Sequence, residues 1–315
     1  MCIRDRAPAA PVTSVNSLTG AVSLGLTQLD DVGSDGTNGQ VLTTNGSGSF
    51  TFQDAGGGGG ASDLNGLSDC LVITGSLFVG ESPSSLSGSN QDNTTLGIGS
   101  GVALTSGMYN TLLGHDAGTA LTSGFRNTLI GWQSGRYLTT QQNVTAVGYG
   151  SLGNNTANDN TAFGSGAGSA NSSGTDNTYI GVSSGTLNTT GSSNSYIGNS
   201  CGAYSQGGGG NTAVGSEALQ GAFFNSANNN TSMGYQAGQS IATGGDSNTM
   251  IGYQAGLTLT TGDNNLILGN TATPSAVTVN NEITLGNSSI STLRCAVTSI
   301  TVSYTHLTLP TTPYV

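Results

Sequence analysis

The chain has 315 residues, 52 of them glycine, with only 7% charged and 6% aromatic residues, and a formal net charge of −11. Five basic residues, all arginine, cannot make the cationic stripe a nucleic-acid binder needs, so no nucleic-acid partner is expected. No apolar run approaches the ~18 residues of a membrane span, the first residues carry no apolar signal core, and low charge alone would suit disorder were it not for a strict period.

Both ends read as translated adapter. Met1 to Arg6 back-translates to ATG TGT ATA AGA GAC AG(A/G), and Val302 to Leu307 to GTC TCT TAT ACA CAT CTG, which contains the reverse complement of that string. Both resemble a transposon mosaic-end adapter. Residues 1–6 and 302–315 are therefore set aside as artefact, and the native termini lie elsewhere.

Residues 7–55 form an N-terminal β module, with alternating stretches at Val12–Asn16, Gly20–Leu24, Gly39–Gly46 and Phe50–Phe52. Residues 56–62 are a glycine-rich linker, and residues 63–92 lead in through a strand at Cys70–Gly75. From residue 93 to 290 one pattern repeats. Gly97, Gly114, Gly131, Gly148, Gly164, Gly181, Gly198, Gly215, Gly234, Gly252, Gly269 and Gly286 are spaced by 17 residues in eight of eleven steps. A period of this size marks a solenoid, whose units bury their apolar edges only against neighbours.

Each unit reads Asn-Thr-x-Φ-Gly-x-x-small-Gly. The Φ residue before the glycine is always apolar (Leu113, Ile130, Ile180 and Ile197 among them), and two residues earlier stands mostly threonine. Strand alternation puts these two positions on one face, which is expected to point inward. The residue between them (Leu112, Leu129, Tyr179, Tyr196, Met250) is then expected outward, as an apolar stripe suited to self-association as a parallel homotrimer. Three residues after the glycine only small side chains occur, Ala117, Ser184 and Cys201 among them, which implies a narrow interior.

Glycine content and a turn signal every eight or nine residues exclude a helical repeat. A second glycine series (Gly107, Gly124, Gly174, Gly191, Gly208, Gly245, Gly262) suggests two short strands and two turns per coil. Asn93, Asn110, Asn127, Asn160, Asn177, Asn194, Asn211, Asn230, Asn248 and Asn265 should stack as an amide ladder. The expected fold is all-β: a parallel β-solenoid, β-roll or β-helix, of about twelve ~17-residue coils, roughly 50 Å long at about 4.8 Å per coil.

The stretch PVTSVNSLTGAVSLGLTQLDDV…GQVLTTNGSGSFTFQDA resembles linker modules of bacteriophage tail fibres. NTLIGWQSG, NTAVGSEAL and NTMIGYQAG resemble fibre-shaft repeats and are similar to the β-roll heads of trimeric autotransporter adhesins. NNEITLGNSSISTLRCAVTSIT resembles the approach to an endosialidase-type intramolecular chaperone domain, making residues 291–301 the junction to a domain the chain lacks. The resemblance implies the structural shaft of a trimeric tail fibre or spike in a virion, supporting host attachment. It also implies that in-register assembly depends on a separate trimerising unit. The alternatives are a bacterial cell-surface adhesin head and a polysaccharide-degrading β-helix enzyme.

No catalytic, cofactor or metal site is expected. Between the adapter ends there is one histidine, His115, no lysine, and the acids are scattered. Asp92, Asp159 and Asp176 each precede a ladder asparagine and read as turn caps, though Ca²⁺ is conceivable. Cys70, Cys201 and Cys295 lack metal or disulfide spacing. The position after the glycine carries His115, Trp132 and Tyr149 on consecutive coils, then Tyr235 and Tyr253. Trp132, Tyr149, Tyr235 and Tyr253 are the candidate contacts to a host glycan or receptor, weighed against a role in the trimer seam. Phe223 and Phe224 mark a bulge in the widest repeat.

Overall fold

The computed structural model describes residues 40–44, 50–54, 70–73, 75–81, 83, 86, 91–222 and 225–294. The stretches at 12–16 and 20–24, the linker 56–62, Phe223, Phe224, Cys295 and both adapter-like ends lie outside them. The chain divides into two units, 1–68 and 69–315. In the first, β1 (Gln40–Thr44) pairs antiparallel with β2 (Phe50–Asp54).

The second unit is a parallel β-solenoid of about twelve coils. It opens with an antiparallel hairpin, β3 (Cys70–Ile73) and β4 (Ser76–Gly80), where a single strand was expected. From β4 onward every strand pairs parallel with the next, through β5 (Thr94–Gly97) to β16 (Ile283–Leu285), in one 14-stranded sheet. Each coil contributes one strand, not two. The half after the glycine runs through successive turns closed by Ser134 N–H to Gly131 O (3.3 Å) and Leu138 N–H to Gly135 O (3.1 Å). These turns still bond coil to coil, as from Gly135 N–H to Ser151 O (3.0 Å).

The repeating glycine is fixed by that stacking. Gly131 has φ +124°, and a Cβ there would lie 2.6 Å from the carbonyl oxygen of Gly148 on the next coil; Gly114 stands in the same relation to Gly131. Side chains would therefore force the coils apart. The asparagine ladder is equally regular. Asn127 donates from its backbone N–H and from Nδ2 to Oδ1 of Asn110 (both 3.0 Å), and Nδ2 also reaches Gln141 O on the next coil (2.9 Å). The pattern repeats for Asn177, Asn194, Asn211 and Asn248, all buried, so each amide satisfies backbone that the turn would leave unpaired. The ladder skips one site, where Val144 stands. There Asn160 Nδ2 turns to Oδ1 of Asn155 (3.3 Å).

The strand faces are the reverse of the expectation. The residue between threonine and Φ points inward: Leu112, Leu129, Ala146, Ala162, Tyr179, Tyr196, Ala213, Ser232, Met250 and Ile267 are buried. The Φ column points out, with Leu96, Leu113, Phe163, Ile180, Ile197, Met233 and Ile251 between 38 and 47% exposed. Threonine and Φ do share a face, but it is the outer one. The reason is volume. The inner strand side chain meets two more inward columns, four and seven residues after the glycine, and the three share one cross-section. Ser184, Cys201 and most of their column are buried as expected.

The column four after the glycine shows the sharing directly. As far as Gly256 it is glycine where a neighbouring inward strand residue is large: a Cβ on Gly168 would lie 2.5 Å from the Tyr179 ring, and one on Gly118 would lie 2.9 Å from Leu129. It becomes leucine only at Leu152, between Ala146 and Ala162, and at Leu219, between Ala213 and Ser232. Both leucines are buried and hold a left-handed backbone (φ 48° and 46°), a conformation unfavourable to them that the filled space offsets.

Candidate recognition surface

The turns after the glycine place successive side chains of one column a coil apart on the outside. Trp132 and Tyr149 occupy consecutive coils and stack with ring centroids 4.7 Å apart and planes inclined by 12°. Tyr235 and Tyr253 do the same at 5.5 Å and 20°. All four are exposed, so the structure pairs the four nominated aromatics two by two. His115, one coil before Trp132, is also exposed and lies 3.3 Å from the Asp116 carboxylate.

The first pair forms one wall of a cleft of about 380 Å³ spanning three coils. Arg136 and Tyr137 also line it, the guanidinium carbon 5.2 Å from the Tyr137 ring centre. Gln133, Asn154 and Ser169 supply polar groups, and Gly150, Gly153 and Gly166 complete the lining. Sequence reading missed Arg136, Tyr137 and the glycines. A signal existed: two residues after the repeating glycine most coils carry a side chain, as at Asp116, Gln133, Ser183, Ser200, Glu217, Gln236 and Gln254, and besides Gly99 in the first coil only the adjacent coils with Gly150 and Gly166 carry glycine there.

The ladder residues Asn110, Asn127, Asn160, Asn177, Asn194, Asn211 and Asn248, with Gly114, Gly131, Gly181 and Gly198, hold the coils together and lie apart from the cleft lining. Asp92, Asp159 and Asp176 each adopt a left-handed backbone (φ 55–59°) at their turns, and Asn143 Nδ2 donates to Asp159 Oδ1 (2.8 Å). Among the described residues no three His, Cys, Asp or Glu side chains gather as a metal would require, and no helix is long and apolar enough to cross a membrane.

The strongly shifted titratable groups lie inside the coil. Burial, together with repulsion from the charge an ionised Tyr196 would carry, raises the Tyr179 phenol well above its usual value against the opposing bond from Asn188; burial likewise raises Tyr196. Burial pushes the Cys201 thiol up to about 12. None of the three has the exposure an acid, base or nucleophile needs. No protein-family model matches the chain, and neither a curated protein nor a solved structure shows detectable similarity to it.

Proposed function

We propose that the chain is the structural shaft of a trimeric fibre, a tail fibre or spike that supports attachment of a virion to its host and performs no catalysis itself. The observation that carries this reading is the outward Φ column. In the parallel register Ile180 stands beside Ile197 and Phe163, and Met233 beside Ile251, so exposed apolar side chains form one stripe along the sheet. A rod with such a stripe hides it best against copies of itself, and a cyclic arrangement brings identical stripes together on one axis. The stripe thus passes from the inner column, where the sequence suggested it, to the Φ column, and the argument for self-association passes with it.

The test is to fuse a cleavable trimerising unit after residue 301, assemble the chain, remove the unit, and measure mass by sedimentation. A persisting trimer is expected. Replacing Phe163, Ile180 and Ile197 together by serine should release monomers whose coil content is unchanged by circular dichroism. Immediate dissociation of the unsubstituted chain to folded monomers would overturn the reading.

A further inference from the structure

The cleft beside Trp132 is made by side chains that are missing. Gly150 and Gly166 have φ of 60° and 66°, and Asp116, Gln133, Ser183 and Glu217 adopt the same conformation (φ 54–58°) at the corresponding positions of other coils. The backbone therefore does not require glycine at either place. Nor does space: a Cβ on Gly150 would meet nothing within 4 Å, and one on Gly166 only Ser183 Oγ at 3.9 Å. These two positions leave open a recess that a glutamine at the same position would fill.

The walls of the recess have a definite chemistry. One face of the Trp132–Tyr149 stack is shared between the rings, but the next coil carries Ser165 in that column, and Tyr149 is 60% exposed. A flat apolar ring face beside a hydrogen-bonding rim suits a sugar ring, whose C–H faces are apolar and whose edge is hydroxylated. Arg136 lines the same cleft. In a chain of net charge −11 with five arginines it is a rare cation, and among the described residues no carboxylate pairs with it. A guanidinium lying against an aromatic ring keeps its donor edge available to a carboxylate in the bidentate manner.

We propose that the Trp132–Tyr149–Arg136 cleft binds an acidic saccharide, with a pyranose ring against the aromatic wall and its carboxylate on Arg136. Gln133, Asn154 and Ser169 lie where they can bond ring hydroxyls. The site belongs to a single chain and does not rest on the fibre reading.

The test uses the full chain, assembled as above, on an array of uronic-acid- and sialic-acid-bearing oligosaccharides beside their neutral counterparts. Saturation-transfer NMR then follows the strongest binder. Carboxylated glycans should bind, with neutral counterparts about tenfold weaker, the loss expected for one charged hydrogen-bonding group. Arg136→Gln should reduce binding by the same factor and remove the preference for acid. Gly166→Gln should abolish binding at only a modest cost in melting temperature, since glutamine must take the left-handed backbone there as Gln133 and Gln236 already do. Ser200→Gln, in the same column but away from the cleft, should leave binding intact. Should Gly166→Gln fold poorly, the Arg136→Gln comparison still decides. Absence of binding to every carboxylated glycan, binding indifferent to Arg136 and Gly166, or a Trp132→Ala variant that only weakens assembly would each overturn the proposal. Sedimentation of the same samples keeps a failure of the trimer distinct from a failure of the site.

Discussion

The solenoid has one backbone but two kinds of interior. In its early and late coils the column seven after the glycine is aliphatic: Leu104, Leu121 and Leu138, then Ile241 and Leu259. In the middle the same column reads Asn155, Asn171, Asn188 and Ser205, all buried. The middle coils also bury Tyr179 and Tyr196, whose hydroxyls meet that column: Asn188 Nδ2 donates to Tyr179 Oη (2.6 Å), and Tyr196 Oη donates to Ser205 Oγ (3.1 Å). Asn171 and Asn188 also return to the turn carbonyls of Gly174 and Gly191. The difference teaches that the coil is held by what does not change, the glycine contacts and the asparagine ladder. Its filling needs only to match in volume and, Ser232 Oγ apart, leave no buried side-chain polar group unpaired.

The sharpest attack on this comparison is at Tyr179. Tyr179→Ala should cost about 3–5 kcal/mol, as large aromatic truncations do, and more than Leu129→Ala in an aliphatic coil, because Asn188 also loses a partner. Gly168→Leu alone should overpack against the tyrosine ring and lower stability by about 1–3 kcal/mol. Combined, the two changes remove the ring and leave the new side chain against the end of Leu152 (Cβ to Cδ2 2.8 Å), so the double variant should lose less stability than the two single variants together. Thermal melts of the four proteins form a double-mutant cycle. Additive losses would refute the shared-volume account.

The same shared volume explains how much could be read beforehand. Glycine spacing and the asparagine ladder were legible because each position serves one purpose in coil after coil, with Val144 the one break in the ladder, so the solenoid followed. The strand faces were not. A uniformly apolar column such as Leu113, Ile130 and Ile180 looks like a core, while one running from Tyr179 to Ser232 looks like surface, yet the variable column is inside because its neighbours vary with it. In the cleft, Trp132 and Tyr149 could be paired from their common column. Arg136 could not, since its place in the same lining depends on how the turns fold back.

A middle coil should also be convertible into an end coil. Asn188→Leu alone leaves the Tyr179 hydroxyl and the Gly191 N–H without their partners and should cost about 1–3 kcal/mol. Adding Tyr179→Phe removes one of these orphans, and the double variant should recover part of that loss. Denaturant midpoints measure this, and a double variant worse than both singles would mean that the polar filling specifies the middle coils.

Alkaline pH distinguishes the two interiors without any change to the ends. Burial raises both Tyr179 and Tyr196, so folding keeps them protonated where the unfolded chain would ionise. Their contribution is complete below the unfolded value of about 10 and is lost as pH rises through the higher folded values. Between these limits each tyrosine removes up to about 1.4 kcal/mol per pH unit. The melting temperature should fall from pH 10 to 11.5, and less steeply in the Tyr179→Phe, Tyr196→Phe variant; equal slopes would contradict the buried, hydrogen-bonded placement.

The smallest effect is expected at Cys201, which occupies a column the two interiors share. Its Sγ lies 3.3 Å from Ala213 O as a weak donor, the bond that Ser184 Oγ makes to Tyr196 O at 2.9 Å in the coil before, while Ala167 and Ala218 in the same column make none. Serine and alanine are thus both already accommodated there, and Cys201→Ser or Cys201→Ala should shift stability by less than about 1 kcal/mol. With its thiol pushed up to about 12 and buried, Cys201 should resist a thiol reagent at pH 8 until the coil opens. Its modification rate then reports the opening of the middle coils. If Asn188→Leu accelerates labelling of Cys201 while Leu121→Ala, in an early coil, does not, the coils open in separate segments; equal acceleration would mean that the solenoid opens as one cooperative unit.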